Sequence, residues 1–206
     1  MIKASHHPFL IWIFNLFTRI IIYLKFNKVF IIGDTDVPKS SVLVINNHFS
    51  WWDGFFINYL NNKLWKKTFY VMMLEEELEK RKLLSRGGAF SIRRNHSSTA
   101  ASFIYAKNIL KNNNSNLLLM YPQGKLQAQA TRYLHFEPGI KQLSIKTEAP
   151  IKMVVTLIDY FGSPRPSAWL YIKDLKFDPD QSVSIEKNFN DFMDECIEDH
   201  NENTEL

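Results

Sequence analysis

The sequence has almost no cysteine and contains no repeat. Cys196 is the single cysteine among 206 residues, so no disulfide can form within the chain and a thiolate metal site has no second sulfur ligand. We therefore expect a reducing, cytosol-facing environment. No internal repeat or long linker divides the chain, which at this length indicates one main folded domain. No small-x-small cleavage site follows the first apolar segment, which disfavours a cleaved signal peptide.

Apolar residues, in contrast, are plentiful. Hydrophobic residues make up 46% of the chain and aromatic residues 14%. This composition excludes a disordered or fibrous protein. It also suggests more apolar surface than one core needs, which is typical of a protein that faces lipid.

Charge is distributed unevenly along the chain. The net charge is +4, but residues 186–206 carry eight acidic residues and one basic residue. The first 185 residues carry 24 basic and 13 acidic residues, a net charge of +11. This favours an anionic partner such as a phospholipid surface. The aromatic residues lie among apolar ones and not in a Lys/Arg stripe, so we expect no nucleic-acid partner.

The most apolar stretch is 9–26, which Asn15 and Arg19 interrupt. Its length approaches that of a membrane span, but an arginine near the centre is costly in a bilayer. We predict an amphipathic, membrane-associating helix (1–28) that lies in the interface, followed by a domain (29–206) with an acidic C-terminal helix. The expected location is peripheral, on the inner face of the cytoplasmic membrane. The alternative is a buried core helix.

Short apolar runs alternate with helical segments along the rest of the chain. The predicted strands are 29–33, 42–46, 69–73, 89–92, 117–121, 151–157 and 169–173; the predicted helices are 51–61, 75–84, 97–111, 138–147 and 183–200. This alternation predicts an α/β fold with a mixed, largely parallel sheet flanked by helices. Sites in such folds lie at the carboxyl ends of the strands.

One polar pair follows the second predicted strand. His48 and Asp53 are five residues apart, a spacing that does not share a helix face. Ser50 and Asp53 form a capping-box-like pattern that places the helix start at Ser50, so His48 lies in the turn before the helix and can fold back against the carboxylate. An Asp-oriented histidine is a general base. The alternative is that Asp53 only caps the helix and His48 only fills the turn.

The segment resembles a known family at this point. Asn47, His48 and Asp53 match the N-H-x-x-x-x-D motif of the glycerolipid (lysophosphatidate-type) acyltransferase superfamily. Three further blocks follow in the family's order: GAFSIRR (88–94), YPQGK (121–125) and the proline of EAPIKMVVTL at Pro150. The resemblance covers about residues 40–160.

This resemblance implies transfer of a fatty acyl group from acyl-CoA or acyl carrier protein to a hydroxyl, or an amine, of a lipid acceptor such as a lysophospholipid. His48 would be the general base, oriented by Asp53, with no cofactor and no metal. The other site residues that the resemblance implies bind substrate: Asn47, Gly88, Arg94, Pro122, Gln123, Gly124 and Lys125. A guanidinium is suited to a phosphate, which makes Arg94 the candidate anion ligand.

The third block departs from the family pattern. Gln123 replaces the usual glutamate, and Lys125 and Leu126 replace the usual threonine and arginine. That block is associated in the family with the acceptor's glycerol phosphate, so we expect lysophosphatidate to be a poor acceptor. A second hypothesis is a non-catalytic lipid or acyl-chain binding protein, which would have no reason to keep both His48 and Asp53.

Overall fold

A computed structural model describes residues 1–93, 96–111, 115–175 and 184–202, without the side chains of 144–146. It contains seven strands: β1 (Val29–Gly33), β2 (Val42–Asn46), β3 (Thr68–Leu74), β4 (Ala89–Ile92), β5 (Asn116–Met120), β6 (Ile151–Asp159) and β7 (Ser167–Leu175). The helices are α1 (Pro8–Lys25), α2 (Asp53–Leu60), α3 (Glu75–Lys80), α4 (Thr99–Lys111), α5 (Gly139–Thr147) and α6 (Ile185–Glu202).

The seven strands form one sheet in the order β1-β7-β6-β2-β5-β3-β4. Only β6 and β7 pair antiparallel, and every other pair is parallel. Five strands therefore run in one direction, with β1 and β7 opposite to them. The predicted α/β fold with a mixed, largely parallel sheet is confirmed.

Helices cover both faces of this sheet because its central strands are apolar on both sides. All five residues of β2 and of β5 are buried. On one face, α1 and α2 pack over Val42, Val44 and Leu119; on the other, α4, α5 and α6 pack over Leu43 and Ile45. The carboxyl ends of β2 and β5 are thus held rigidly at one edge of the core.

Helix α1 is long and apolar, as predicted, but it is not a core helix. Among its eighteen residues only Thr18 and Ile22 are buried, so the buried-core alternative is wrong. By length and composition α1 is also the one helix among the described residues that could cross a membrane. It packs antiparallel to α2, with Phe26 at one end against Trp52 and Asn15 at the other end against Asn58.

Two local boundaries differ from the sequence-based prediction. Helix α2 begins at Asp53 and not at Ser50, because residues 50–52 form a turn around the Ser50 side chain. The predicted helix 75–84 is split into α3 and a 3₁₀ segment, Lys82–Gly87. After α2 the chain continues as a π-helical segment, Asn61–Trp65, and reverses at Lys66 in the left-handed region.

Candidate active site

His48 and Asp53 meet in the turn between β2 and α2. The Nδ1 atom of His48 lies 2.8 Å from Oδ2 of Asp53, which is the predicted contact. A carboxylate accepts, so Nδ1 carries the proton and Nε2 is left with its lone pair. The imidazole is therefore in the tautomer that can accept a proton from a substrate.

The Asp53 carboxylate organises this turn. Its side chain is completely buried, and Oδ2 also accepts hydrogen bonds from the backbone N–H groups of Phe49 and Ser50, at 2.9 and 3.0 Å. Oδ1 accepts a 2.6 Å hydrogen bond from the Ser50 hydroxyl. Several donors and the N-terminus of α2 stabilise the negative charge, so a buried ionised carboxylate is tolerated here.

Tyr121, directly after β5, stacks its ring against a face of the His48 imidazole. The ring centroids of His48 and Tyr121 are 4.0 Å apart and the planes are inclined by 18°. Burial, and secondarily the charge of Asp53, raise the pKa of the Tyr121 hydroxyl well above its ordinary value, so the phenol stays neutral. The sequence analysis assigned no role to Tyr121, because its contact with His48 depends on the β2–β5 pairing.

Asn47 anchors the same turn to the neighbouring strand β6. Its Nδ2 donates to the carbonyl oxygen of Thr156 at 2.9 Å, and its Oδ1 accepts from the Thr156 N–H at 2.8 Å. These bonds occupy one amide N–H and the side-chain oxygen, and the residue is buried. The structure therefore gives Asn47 a positioning contact behind His48, where we had expected a substrate contact.

Gln123 also lies behind His48. Its Nε2 donates to the backbone carbonyl oxygen of His48 at 3.1 Å, and the same carbonyl accepts the N–H of Gln127 at 3.0 Å. The side chain is only 4% exposed, and Oε1 has no hydrogen-bond partner among the described residues. Gln123 thus holds the backbone of the histidine, which differs from the expected substrate contact.

The remaining residues of the third block face open space. A cavity of about 1030 Å³ lies beside His48, and Pro122, Gly124 and Lys125 line it together with Leu126. Gly124 has a φ of 62°, a left-handed conformation that glycine adopts without strain. Lys125 is exposed, so its ammonium group is available to an anion that enters the cavity.

Most of the cavity wall is apolar. It continues from His48 between α1, α2 and β3, and the apolar side chains there include Phe14, Phe55, Phe69, Val71 and Met73. Concave apolar surface of this size, beside a few polar groups, is typical of a site for a ligand with a hydrocarbon part.

The second block reaches the cavity through Ala89 and Ile92, which line it. Gly88 has a φ of 110°, and a Cβ there would lie 2.0 Å from the carbonyl oxygen of Phe69. Gly88 therefore permits the close approach of the chain before β4 to β3. Arg93 is paired with Glu75, with Nε 2.6 Å from Oε1. Arg94, the expected anion ligand, lies outside the described residues.

Across the portion of the chain that the structure describes, no group of three or more His, Cys, Asp or Glu side chains could hold a metal ion. The independence from a cofactor stays a prediction.

The turn, the stacked histidine and the apolar cavity define a class of protein: an α/β enzyme whose His48–Asp53 pair lies at the carboxyl edge of its sheet. The family model of the Acyltransferase family matches residues 28–156. The chain belongs to this family, and the protein is an acyltransferase.

The fold has a counterpart among solved structures. The crystal structure of PlsC, the 1-acyl-sn-glycerophosphate (LPA) acyltransferase of Thermotoga maritima, is similar with a TM-score of 0.61 and 17% sequence identity. The match covers 92% of this chain and 78% of PlsC. At this identity the likeness concerns the fold. No curated protein shows significant similarity to the chain.

Proposed function

We propose that the protein transfers a fatty acyl chain from a thioester donor, acyl-CoA or acyl carrier protein, to the hydroxyl of a lipid acceptor. The observation that carries this proposal is the hydrogen-bonded His48–Asp53 pair at the wall of a large apolar cavity. Membership of the Acyltransferase family supports it and disfavours the hypothesis of a non-catalytic lipid-binding protein.

In the proposed reaction His48 is the general base. Its Nε2 takes the proton of the acceptor hydroxyl while the oxygen attacks the thioester carbonyl carbon. The carbon–sulfur bond then breaks, and the sulfur leaves as a thiol after taking the proton back from His48. Asp53 holds the imidazole tautomer and stabilises the imidazolium that forms, which is the role of the aspartate in other His–Asp pairs.

The surroundings of the pair suit this chemistry. Three contacts hold the histidine in place. Tyr121 stacks on its ring, Gln123 donates to its carbonyl oxygen, and the preceding residue, Asn47, is bonded to Thr156. Such preorganisation reduces the cost of reaching the reactive geometry. We assign Asn47, Gln123 and Tyr121 as positioning residues on these contacts.

Lys125 is our candidate for the acceptor or donor phosphate, because it lines the cavity beside Gly124 and directly follows the third block's glycine. Arg94 remains a proposal from the sequence pattern alone. Leu126, which also lines the cavity, cannot bind phosphate. We therefore keep the proposal that lysophosphatidate is a poor acceptor compared with a lipid of another headgroup.

The direct test is incubation of the purified protein with labelled palmitoyl-CoA or palmitoyl carrier protein and a panel of lysolipids, hydroxylated lipids and amino lipids. We expect a labelled acyl-lipid product that is absent with His48→Ala. Lysophosphatidate should give a lower kcat/KM than the best acceptor. A protein that binds acyl-CoA but makes no labelled lipid with any acceptor would contradict the proposal.

We also propose that α1 attaches the enzyme to the membrane surface, on the cytosolic side. Eight large apolar side chains of α1 are exposed: Phe9, Trp12, Ile13, Leu16, Phe17, Ile20, Tyr23 and Leu24. Burying such side chains in lipid contributes about 25 cal/mol per Å². The basic residues Arg19, Lys25 and Lys28, also exposed, suit anionic headgroups.

Deleting α1 would not test this cleanly, because Ile22 and Phe26 belong to the core. We suggest instead the double variant Phe9→Ser, Trp12→Ser, which removes two exposed rings. Flotation with anionic liposomes should fall well below that of the wild type at an unchanged melting temperature. The control is Ile104→Ser, which removes an exposed isoleucine from α4, on the opposite face of the sheet. Equal flotation of all three proteins would contradict the proposed anchor.

A further inference from the structure

An amide cluster, formed by Asn15, Thr18, Asn58 and Asn62, interrupts the apolar wall of the cavity. Asn58 Nδ2 donates to Asn15 Oδ1 at 3.1 Å and to Thr18 Oγ1 at 3.2 Å. Asn62 Nδ2 donates to Asn15 Oδ1 at 3.0 Å. All four side chains line the cavity, so the cluster faces the space that a hydrocarbon chain would fill.

The cluster keeps unused hydrogen-bonding capacity. Nδ2 of Asn15 and the Oδ1 atoms of Asn58 and Asn62 make no hydrogen bond to another residue in the described part of the chain. The three hydrogen bonds already present are enough to hold α1 against α2 and the segment that follows it. The remaining donor and acceptors are available to a bound molecule.

The antiparallel packing of α1 on α2 fixes the distance of the cluster from the reacting groups. Asp53 is at the first turn of α2, and Asn58 and Asn62 follow five and nine positions later. At about 1.5 Å per residue, the cluster lies roughly 8–14 Å farther along the helix axis. A chain that starts at the thioester beside His48 therefore reaches the cluster in its middle part.

We propose that the groove beside the amide cluster selects an acyl chain that carries a hydroxyl group in its middle part. This inference rests on the proposed acyl transfer and names its donor class. A hydroxyl donates to a free Oδ1 and accepts from the free Asn15 Nδ2, whereas a plain methylene chain removes water from these amides without replacing its hydrogen bonds. Sites built to hydrogen-bond a substrate hydroxyl discriminate against the analogue that lacks it.

The test compares palmitoyl-CoA with hydroxypalmitoyl-CoA whose hydroxyl is near the thioester, mid-chain or at the methyl end. For the wild type we expect kcat/KM with the mid-chain hydroxyl to exceed that with the plain chain by about tenfold, the value of one to two net hydrogen bonds. Asn58→Leu should bring this ratio to about one or below. Asn15→Leu should do the same, since it removes the acceptor of both other amides, and it provides the second variant if Asn58→Leu does not fold.

The matched control is Asn27→Leu, the same substitution at an exposed position outside the cavity, which should keep the wild-type ratio. Binding of the same thioesters to His48→Ala, followed by tryptophan fluorescence, reads the preference without catalysis. A wild type that transfers plain chains as well as hydroxylated ones, or variants with an unchanged ratio, would overturn the inference and leave the acyltransferase proposal intact. Selective binding to His48→Ala without any transfer by the wild type would refute the transfer proposal instead.

Discussion

Replacing Gln123 by the glutamate that the third block usually carries should damage this protein. From sequence alone the change would restore the common pattern. In the structure, however, the Gln123 amide donates to the His48 carbonyl oxygen and is almost fully buried. Glutamate would place an ionised carboxylate against a carbonyl oxygen, with no donor of its own.

The size of the effect follows from what is lost and what remains. The His48 carbonyl keeps the hydrogen bond from Gln127 N–H at 3.0 Å, so the main cost is the buried carboxylate. We expect the free energy of unfolding to fall by about 1–3 kcal/mol at neutral pH. Burial should raise the pKa of the new carboxyl above its unfolded value of about 4.3. The deficit should therefore be small near that pH and increase as the pH rises through the folded-state pKa.

Urea unfolding of the variant and the wild type at three pH values, between about 5 and 8, measures how the difference in unfolding free energy depends on pH. Most domains are stable in this range. Gln123→Met removes the donor without adding charge, so its deficit should not change with pH. Gln142→Glu makes the same charge change at an exposed position of α5 and should cost little. If Gln123→Glu unfolds like the wild type at every pH, the carboxylate does not face the His48 carbonyl and the assigned contact is wrong.

Three further predictions concern catalysis, the first of them by the His48–Asp53 pair. His48→Ala should lower kcat by about 10²- to 10⁴-fold at an unchanged melting temperature, and a fully active variant would exclude the histidine as base. Asp53→Asn should lower both kcat and the melting temperature. Tyr121→Leu should lower kcat more than Tyr121→Phe, which keeps the ring stack, and equal rates would show that the stack has no role. Leu126→Arg should raise kcat/KM for lysophosphatidate relative to other acceptors; a wild type that already prefers lysophosphatidate would show that the acceptor prediction is wrong.

The local part of the site could be predicted because it is encoded within a few residues. A five-residue spacing does not share a helix face, so a contact between His48 and Asp53 required the histidine to precede the helix. The structure satisfies this with a turn in which Ser50 and two backbone N–H groups converge on the carboxylate. The same donors delay the start of α2 to Asp53, which the capping pattern alone did not predict.

The rest of the site depends on contacts between distant segments. Asn47 and Thr156 meet because β2 and β6 are neighbours, and Asn15 meets Asn58 because α1 reverses over α2. The sequence marked Asn15 as an interruption of an apolar run but could not name its partner. The sequence likewise could not show that Gln123 donates to the His48 carbonyl oxygen, since a motif match does not state which way a side chain points.

Helix α1 connects the two proposals about lipid. A helix at a water-facing surface turns its apolar side inward, but α1 leaves Trp12 and Leu16 more than two-fifths exposed and buries the hydroxyl-bearing Thr18 almost completely. The outward side is therefore matched to an apolar environment, as at the surface of a bilayer. On the inward side, Asn15 and Thr18 belong to the amide cluster, which suits the hydroxylated acyl chain that we propose. A groove for a plain hydrocarbon chain needs neither an amide at position 15 nor a hydroxyl at position 18, because such a chain offers these groups no hydrogen bond.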